Sequence, residues 1–222
     1  MSNLVALRTR VLQLLSDTAP ATFTTGQVDE GIHRALDEYS QYNPMQGFAL
    51  LELPGDGWEI ALNGVSGLLR VMAVHWPYDS TLAEDAQHES LVSHWFLWWD
   101  DAQPIVTVVT SDGSMPEEDD EVRIWYEAAH TIDGLSTGTV TSLPDLHESL
   151  IVTGAAAFTA MSQAVAMMND TAADMYSATL MATWGRAKER EFRQLLSKLA
   201  VQIGQSGQPR KAWTVDKWDR IY

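Results

Sequence analysis

The chain has 222 residues, 45% hydrophobic and 20% charged, which suits one folded domain or one domain carrying an insertion. It has no cysteine, so disulfide frameworks, thiol catalysis, zinc–thiolate sites and iron–sulfur clusters are excluded. The formal net charge is −16, and it is unevenly placed: residues 183–222 hold nine basic and four acidic groups, whereas the first 182 hold 5 basic and 26 acidic, a balance of −21. Such a body repels nucleic acid and acidic surfaces, and the C-terminal segment is drawn to an acidic partner.

Leu4, Leu7, Val11, Leu14 and Leu15 recur at helical spacing and predict an amphipathic helix over 3–16. Arg8 and Arg10 lie inside that pattern and no small-residue cleavage site follows, which argues against a signal peptide. After the break at Ala19-Pro20, Thr24 and Gln27 form a capping-box pattern. It opens a second helix with the face Val28, Ile32, Ala35, Leu36 and Tyr39, which must stop near Pro44.

The pattern then changes. Phe48–Leu53, Trp58–Leu62, Leu68–Trp76, His94–Trp99, Ile105–Thr110 and Val122–Ala128 are short, apolar and rich in β-branched or aromatic residues, with turn signals between them. Six such segments predict a small antiparallel sandwich or barrel. Val122, Ile124 and Tyr126 alternate with Arg123, Trp125 and Glu127, the pattern of a half-buried strand.

Leu143-Pro144 opens a long helix with the stripe Leu146, Leu150, Gly154, Ala157, Phe158, Met161, Val165 and Met168. Ala156, Ala160 and Ala164 give it a second face that another backbone can approach closely. The uncharged run from Leu150 to Met168 is long enough to span a membrane. Its Ala, Thr, Ser, Gln and Gly content instead predicts a buried helix of a soluble protein. Thr171 and Asp174 cap a last helix running to about Ile203 through Tyr176, Leu180, Trp184, Leu195 and Leu199. Beyond Gly204 follow a hinge and a basic, aromatic tail.

The fold class is therefore α+β: a helical bundle from 1–45 and 142–203, an inserted antiparallel β sandwich or barrel over 46–141, and an extended docking tail over 204–222. The motifs for chemistry fail on spacing. His88-Glu89 and His94 lack the four-residue step of a zinc-protease helix. The acidic run Glu117 to Glu121 misses the register of a calcium loop. Gly64-Val65-Ser66-Gly67 is not a nucleophile elbow. His130 and Asp133 read as a pair that fixes a turn. No catalytic residue, cofactor or metal site is expected, and the chain does not read as an enzyme.

Two features point to partners. His94-Trp95-Phe96-Leu97-Trp98-Trp99 places Trp95 and Trp99 on one strand face and Trp98 on the other, more tryptophan than one core buries. The tail interleaves Trp213, Trp218, Ile221 and Tyr222 with Arg210, Lys211, Lys217 and Arg220, which suits a peptide that orders on a partner.

The stretch Val122-Arg123-Ile124-Trp125-Tyr126-Glu127-Ala128-Ala129-His130-Thr131-Ile132-Asp133-Gly134 carries a resemblance. It continues through Thr139–Leu143 into Pro144-Asp145-Leu146-His147-Glu148-Ser149-Leu150 and Gly154-Ala155-Ala156. It resembles the head–tail connector (adaptor, or neck) proteins of tailed bacteriophages, and the stretch from Leu12 to Asn43 is similar too. The resemblance implies a structural virion protein of the neck between capsid and tail, assembled in the host cytoplasm. It implies a ring of own copies, twelvefold, beneath the portal, joined to a tail, nozzle or stopper protein. Double-stranded DNA would pass through the channel without specific binding, and no membrane is involved. On that reading Arg210, Lys211, Trp213, Lys217, Trp218, Arg220, Ile221 and Tyr222 bind the portal, and Gly154, Ala156, Ala160, Ala164, Trp95 and Trp98 meet neighbouring subunits. The alternatives are a tail-completion or other minor tail protein, and a carbohydrate-binding host-recognition module using the tryptophan cluster.

Overall fold

The computed structural model describes residues 3–17, 22–132, 143–169 and 175–205. The fold is α+β, and among the described residues it comprises four α-helices and two small antiparallel sheets. The described chain divides into two compact units, a helical one from residues up to Pro44 and from Ala129 onward, and a β unit over Met45–Ala128. The expected caps Thr171 and Asp174 and the whole basic tail from Arg210 to Tyr222 lie outside the described residues.

In the helical unit, α1 spans Leu4–Leu14 and α2 spans Thr25–Tyr42. Asn3 caps α1 by accepting the Ala6 N–H at 2.9 Å. Thr24 and Gln27 cap α2 reciprocally: the Gln27 N–H donates to Thr24 Oγ1 at 3.2 Å and the Thr24 N–H to Gln27 Oε1 at 2.9 Å. A 3₁₀ turn at Asp145–His147 leads into α3, Glu148–Asn169, and α4 runs over Met175–Gln205. Arg8 forks onto Asp29 at 2.6 and 2.7 Å, joining α1 to α2. Arg10 reaches the buried Glu148 at 2.5 Å and joins α1 to α3, while Arg193 pairs with Glu38 and joins α4 to α2.

α3 is the central helix, buried on nearly all sides between Leu150 and Ala160. Its small residues allow that. A Cβ on Gly31 of α2 would stand 2.6 Å from the Ala155 carbonyl oxygen, and one on Gly154 would sit 2.8–2.9 Å from the Phe192 ring of α4. α3 is long and apolar enough to cross a membrane by composition, but 61% of its most apolar window is buried in this unit, the mark of a core helix.

The expected stripe of α3 fails at both its ends, and that of α4 at its start. Leu146 lies in the 3₁₀ turn and is 89% exposed, and Val165, Met168, Tyr176 and Leu180 are exposed as well. α2 begins level with Gln163, which accepts from Gln27 Nε2 at 2.7 Å. Past that point the α3–α4 hairpin loses its third helix, so only one face of each partner is covered. The buried line of α4 is Ala178, Phe192, Leu196 and Leu199.

In the β unit, β1 (Met45–Glu52), β6 (Glu121–Ala128) and β3 (Leu68–Tyr78) form one sheet in that order. β2 (Glu59–Ala61), β5 (Gln103–Thr110) and β4 (Val92–Asp100) form the other. Every pairing is antiparallel. Ile60, Leu62, Val74, Trp76, Val106, Val108, Val122 and Ile124 fill the space between the sheets. β6 departs from the half-buried expectation, because it is a central strand with both faces covered. Its polar face is closed by its own partners: Glu127, 3% exposed, accepts from Arg70 Nε at 2.6 Å and Gln46 Nε2 at 3.2 Å, and Arg123 lies under aromatic rings.

Candidate protein-contact surface

β4 sorts its aromatic run by strand parity. Trp95, opposite Val108, and Leu97, opposite Val106, point between the sheets and pack on the β core. Phe96, opposite Thr107, and Trp98, opposite Ile105, point outward and are 61% and 39% exposed. Trp99, at the strand end beside Pro104, is 53% exposed, and Val109 extends the outer face along β5. The Trp98 indole N–H donates to Thr107 Oγ1 at 3.0 Å. Its one donor is thereby spent inside the chain, which leaves an apolar surface with little to offer a sugar hydroxyl.

This sorting revises part of the expected subunit contact. Trp98 lies on an open face, whereas Trp95 belongs to the core of its own unit. Gly154, Ala156, Ala160 and Ala164 are buried inside the helical unit. The close approach that their small side chains allow is used by α2 and α4 of the same chain, and a second copy has no access to it. Sequence spacing shows that a helix face admits a close neighbour without showing whose helix that is. The exposed apolar side chains that spacing misassigned, Val165, Met168, Tyr176 and Leu180, lie with the exposed Met175 at the far end of the α3–α4 hairpin.

The histidine motifs resolve into structural roles. His75 Nε2 bonds the His88 carbonyl oxygen at 2.8 Å, and His94 is exposed on β4. No group of three or more His, Asp or Glu that could hold a metal ion occurs among the described residues. His130 binds its own unit: its N–H donates to Ser40 Oγ at 2.9 Å and its Nε2 meets the Asn43 carbonyl oxygen at 3.0 Å, which fixes the proton on Nε2. Asp133, its expected partner, lies outside the described residues. Beside it, Asn43 Nδ2 donates to the Tyr39 hydroxyl, which donates in turn to His147 Nδ1 at 2.6 Å. Burial pushes both histidines below their usual pKa, and the nearby His147 lowers His130 further. Tyr39 is fully buried and burial raises its pKa. Sequence reading missed this cluster, because its members lie in three separate segments and only the α2 register reveals that Tyr39 and Asn43 share a face.

The electrostatics of the body follow from where its few cations go. Arg8 is held by Asp29, Arg10 by Glu148, Arg70 by Glu127 and Arg123 by Glu84. Arg34, the fifth, lies over the Phe158 ring, 4.6 Å from its centroid. Four of the five basic residues before position 183 are thus tied to carboxylates of the chain. α4 carries the exposed basic residues Arg186, Arg190, Arg193 and Lys198, and Arg10, Arg34 and Arg70 are exposed as well.

No family model matches the chain, and no curated protein matches it. Among solved structures it is similar to a chain from the neck of an empty gene transfer agent (GTA) particle computed with C6 symmetry, at 17% identity over 70% of this chain and 75% of that one, TM-score 0.27. It is similar to a chain from the virion of the native GTA particle, at 17% identity, 81% and 87% coverage, TM-score 0.30. A third, from the neck of the native particle computed with C12 symmetry, has 17% identity, 81% and 88% coverage and TM-score 0.28.

Proposed function

We propose that this chain is a structural neck protein of a tailed particle, a head–tail connector that joins a ring of its own copies to the portal and lines the path of the DNA. The observation that carries this reading is the pairing-off of the body's cations. With Arg8, Arg10, Arg70 and Arg123 bound to carboxylates of the same chain, the acidic surface before position 183 gives phosphates little counterion release, and DNA slides past that part of the chain. The sequence resemblance around Val122–Gly134 and Pro144–Leu150 supports the same role. So do two open apolar surfaces, the Phe96/Trp98 face of β4 and the far end of the α3–α4 hairpin, which suit contacts between subunits and with a tail component. The basic aromatic tail from Arg210 to Tyr222 is the proposed portal-docking segment. No catalytic role is proposed.

Negative-stain microscopy of the chain mixed with the portal protein of its own particle tests this. A ring of added density beneath the portal, with the portal's symmetry, is expected; portals left bare at saturating chain would overturn the reading.

A further inference from the structure

The outer face of the β1–β6–β3 sheet holds a second feature that neither the neck reading nor the sequence motifs account for. Arg123 is only 9% exposed, yet its guanidinium is incompletely bonded. Its carbon lies 4.3, 4.8 and 5.2 Å from the ring centroids of Phe48, Trp125 and Tyr78. Nη1 alone carries its hydrogen bonds to described residues, donating to the Tyr78 hydroxyl at 2.7 Å and to a Glu84 carboxylate oxygen. Nε is buried and has no partner. The side chain borders a cleft of about 450 Å³, lined also by Phe48, Met72, Glu84, Trp125 and Tyr126.

A buried, unpartnered N–H on a charged group is costly, and natural structures rarely leave one without a role. The guanidinium is a planar fork whose adjacent N–H groups match the two oxygens of a carboxylate, and stacked rings hold that fork rigid. With Nη1 engaged, the edge carrying Nε is the one left for a ligand. Two other carboxylates on this face are already committed, Glu127 to Arg70 and Gln46, and Glu121 to the backbone N–H and hydroxyl of Ser80, while Glu52 lies opposite Glu121 at the exposed end of β1. Glu84 is different. It comes from a short 3₁₀ turn, Glu84–Ala86, and its side chain is 59% exposed, so it is a weakly held carboxylate on Nη1 that competes with an incoming one for the same positive charge.

We propose that the Arg123 cleft is a carboxylate-binding site that takes an acidic side chain from a protein segment, with Glu84 as the competitor built into the chain. Phe48 and Leu50, exposed on β1 of the same face, favour a ligand carried on a polypeptide over a free small acid. The chain's own turn at Glu117–Asp119, exposed and acidic, has the required chemistry. The proposal stands independently of the neck reading.

Nitrogen-15 NMR on the full chain tests it through the Arg123 Nε–H and the Trp125 indole N–H resonances. The probes are a peptide of residues 115–121, the same peptide with every acid replaced by its amide, and sodium acetate. The acidic peptide is expected to shift both resonances saturably, about tenfold more tightly than acetate, and the amide peptide to shift neither. Glu84→Gln should tighten peptide binding severalfold. Arg123→Lys keeps the charge and so is expected to fold, which the remaining spectrum checks; its Trp125 resonance should no longer respond. The proposal is overturned by unmoved resonances with both carboxylate probes, by an equal response to the amide peptide, or by an undiminished Trp125 response in Arg123→Lys. Acetate binding as tightly as the peptide would overturn the protein-borne ligand.

Discussion

Gly31 and Gly154 set the spacing of the helical unit, and they set it differently. A methyl group on Gly154 meets the edge of the Phe192 ring, whereas on Gly31 it meets the Ala155 carbonyl, backbone that has no rotamer to give. Gly31→Ala is therefore expected to force α2 away from α3 and cost about 2–3 kcal/mol, read as a lower urea midpoint with an unchanged slope. The buried histidines give the same unit a pH dependence. His130 and His147 have folded-state pKa values below the usual value of 6.5, so as pH falls through that value the unfolded chain takes up protons first. Their contribution is full above about pH 6.5 and is lost as pH falls toward their lowered pKa values. Denaturation midpoints should drop between pH 7.5 and pH 5, and drop less in a His130→Gln/His147→Gln double variant.

Among the elements, periodicity located what local chemistry dictates. The capping box at Thr24 and Gln27, the stop before Pro44 and all six strands follow from caps, turn residues and alternation, and they stand within a few residues of where the sequence puts them. What tertiary packing dictates was not legible. Arg123 and Glu127 looked like a solvent face because charge alternates with apolar residues on β6; cross-strand partners brought in from β3 and β1 bury them instead. The alanine face of α3 announced a close neighbour without identifying it as α2 and α4. The β4 face is the exposed element that the proposed function uses. Phe96→Ser with Trp98→Ser removes outward side chains and leaves the core residues Trp95 and Leu97 in place, so thermal stability is expected to change by roughly 1 kcal/mol or less. Association between copies on the portal should weaken at least about tenfold, since each buried aromatic contributes around 1.5–3 kcal/mol. Unchanged assembly would remove this face from the contact.

For the whole molecule, the organising feature is the separation of charge. An acidic body whose cations are mostly paired off is followed by a C-terminal segment in which basic groups outnumber acids nine to four. On the proposed neck role, this arrangement would divide two tasks that conflict on one surface: a body along which DNA moves without sticking, and a segment steered onto an acidic dock. High salt should accordingly weaken attachment through the tail. Co-sedimentation with the portal of the same particle, comparing the full chain with one ending at Gly204, tests that division most directly. Saturable binding by the full chain that is lost on truncation is the expected result; no binding by either form would contradict the neck reading itself.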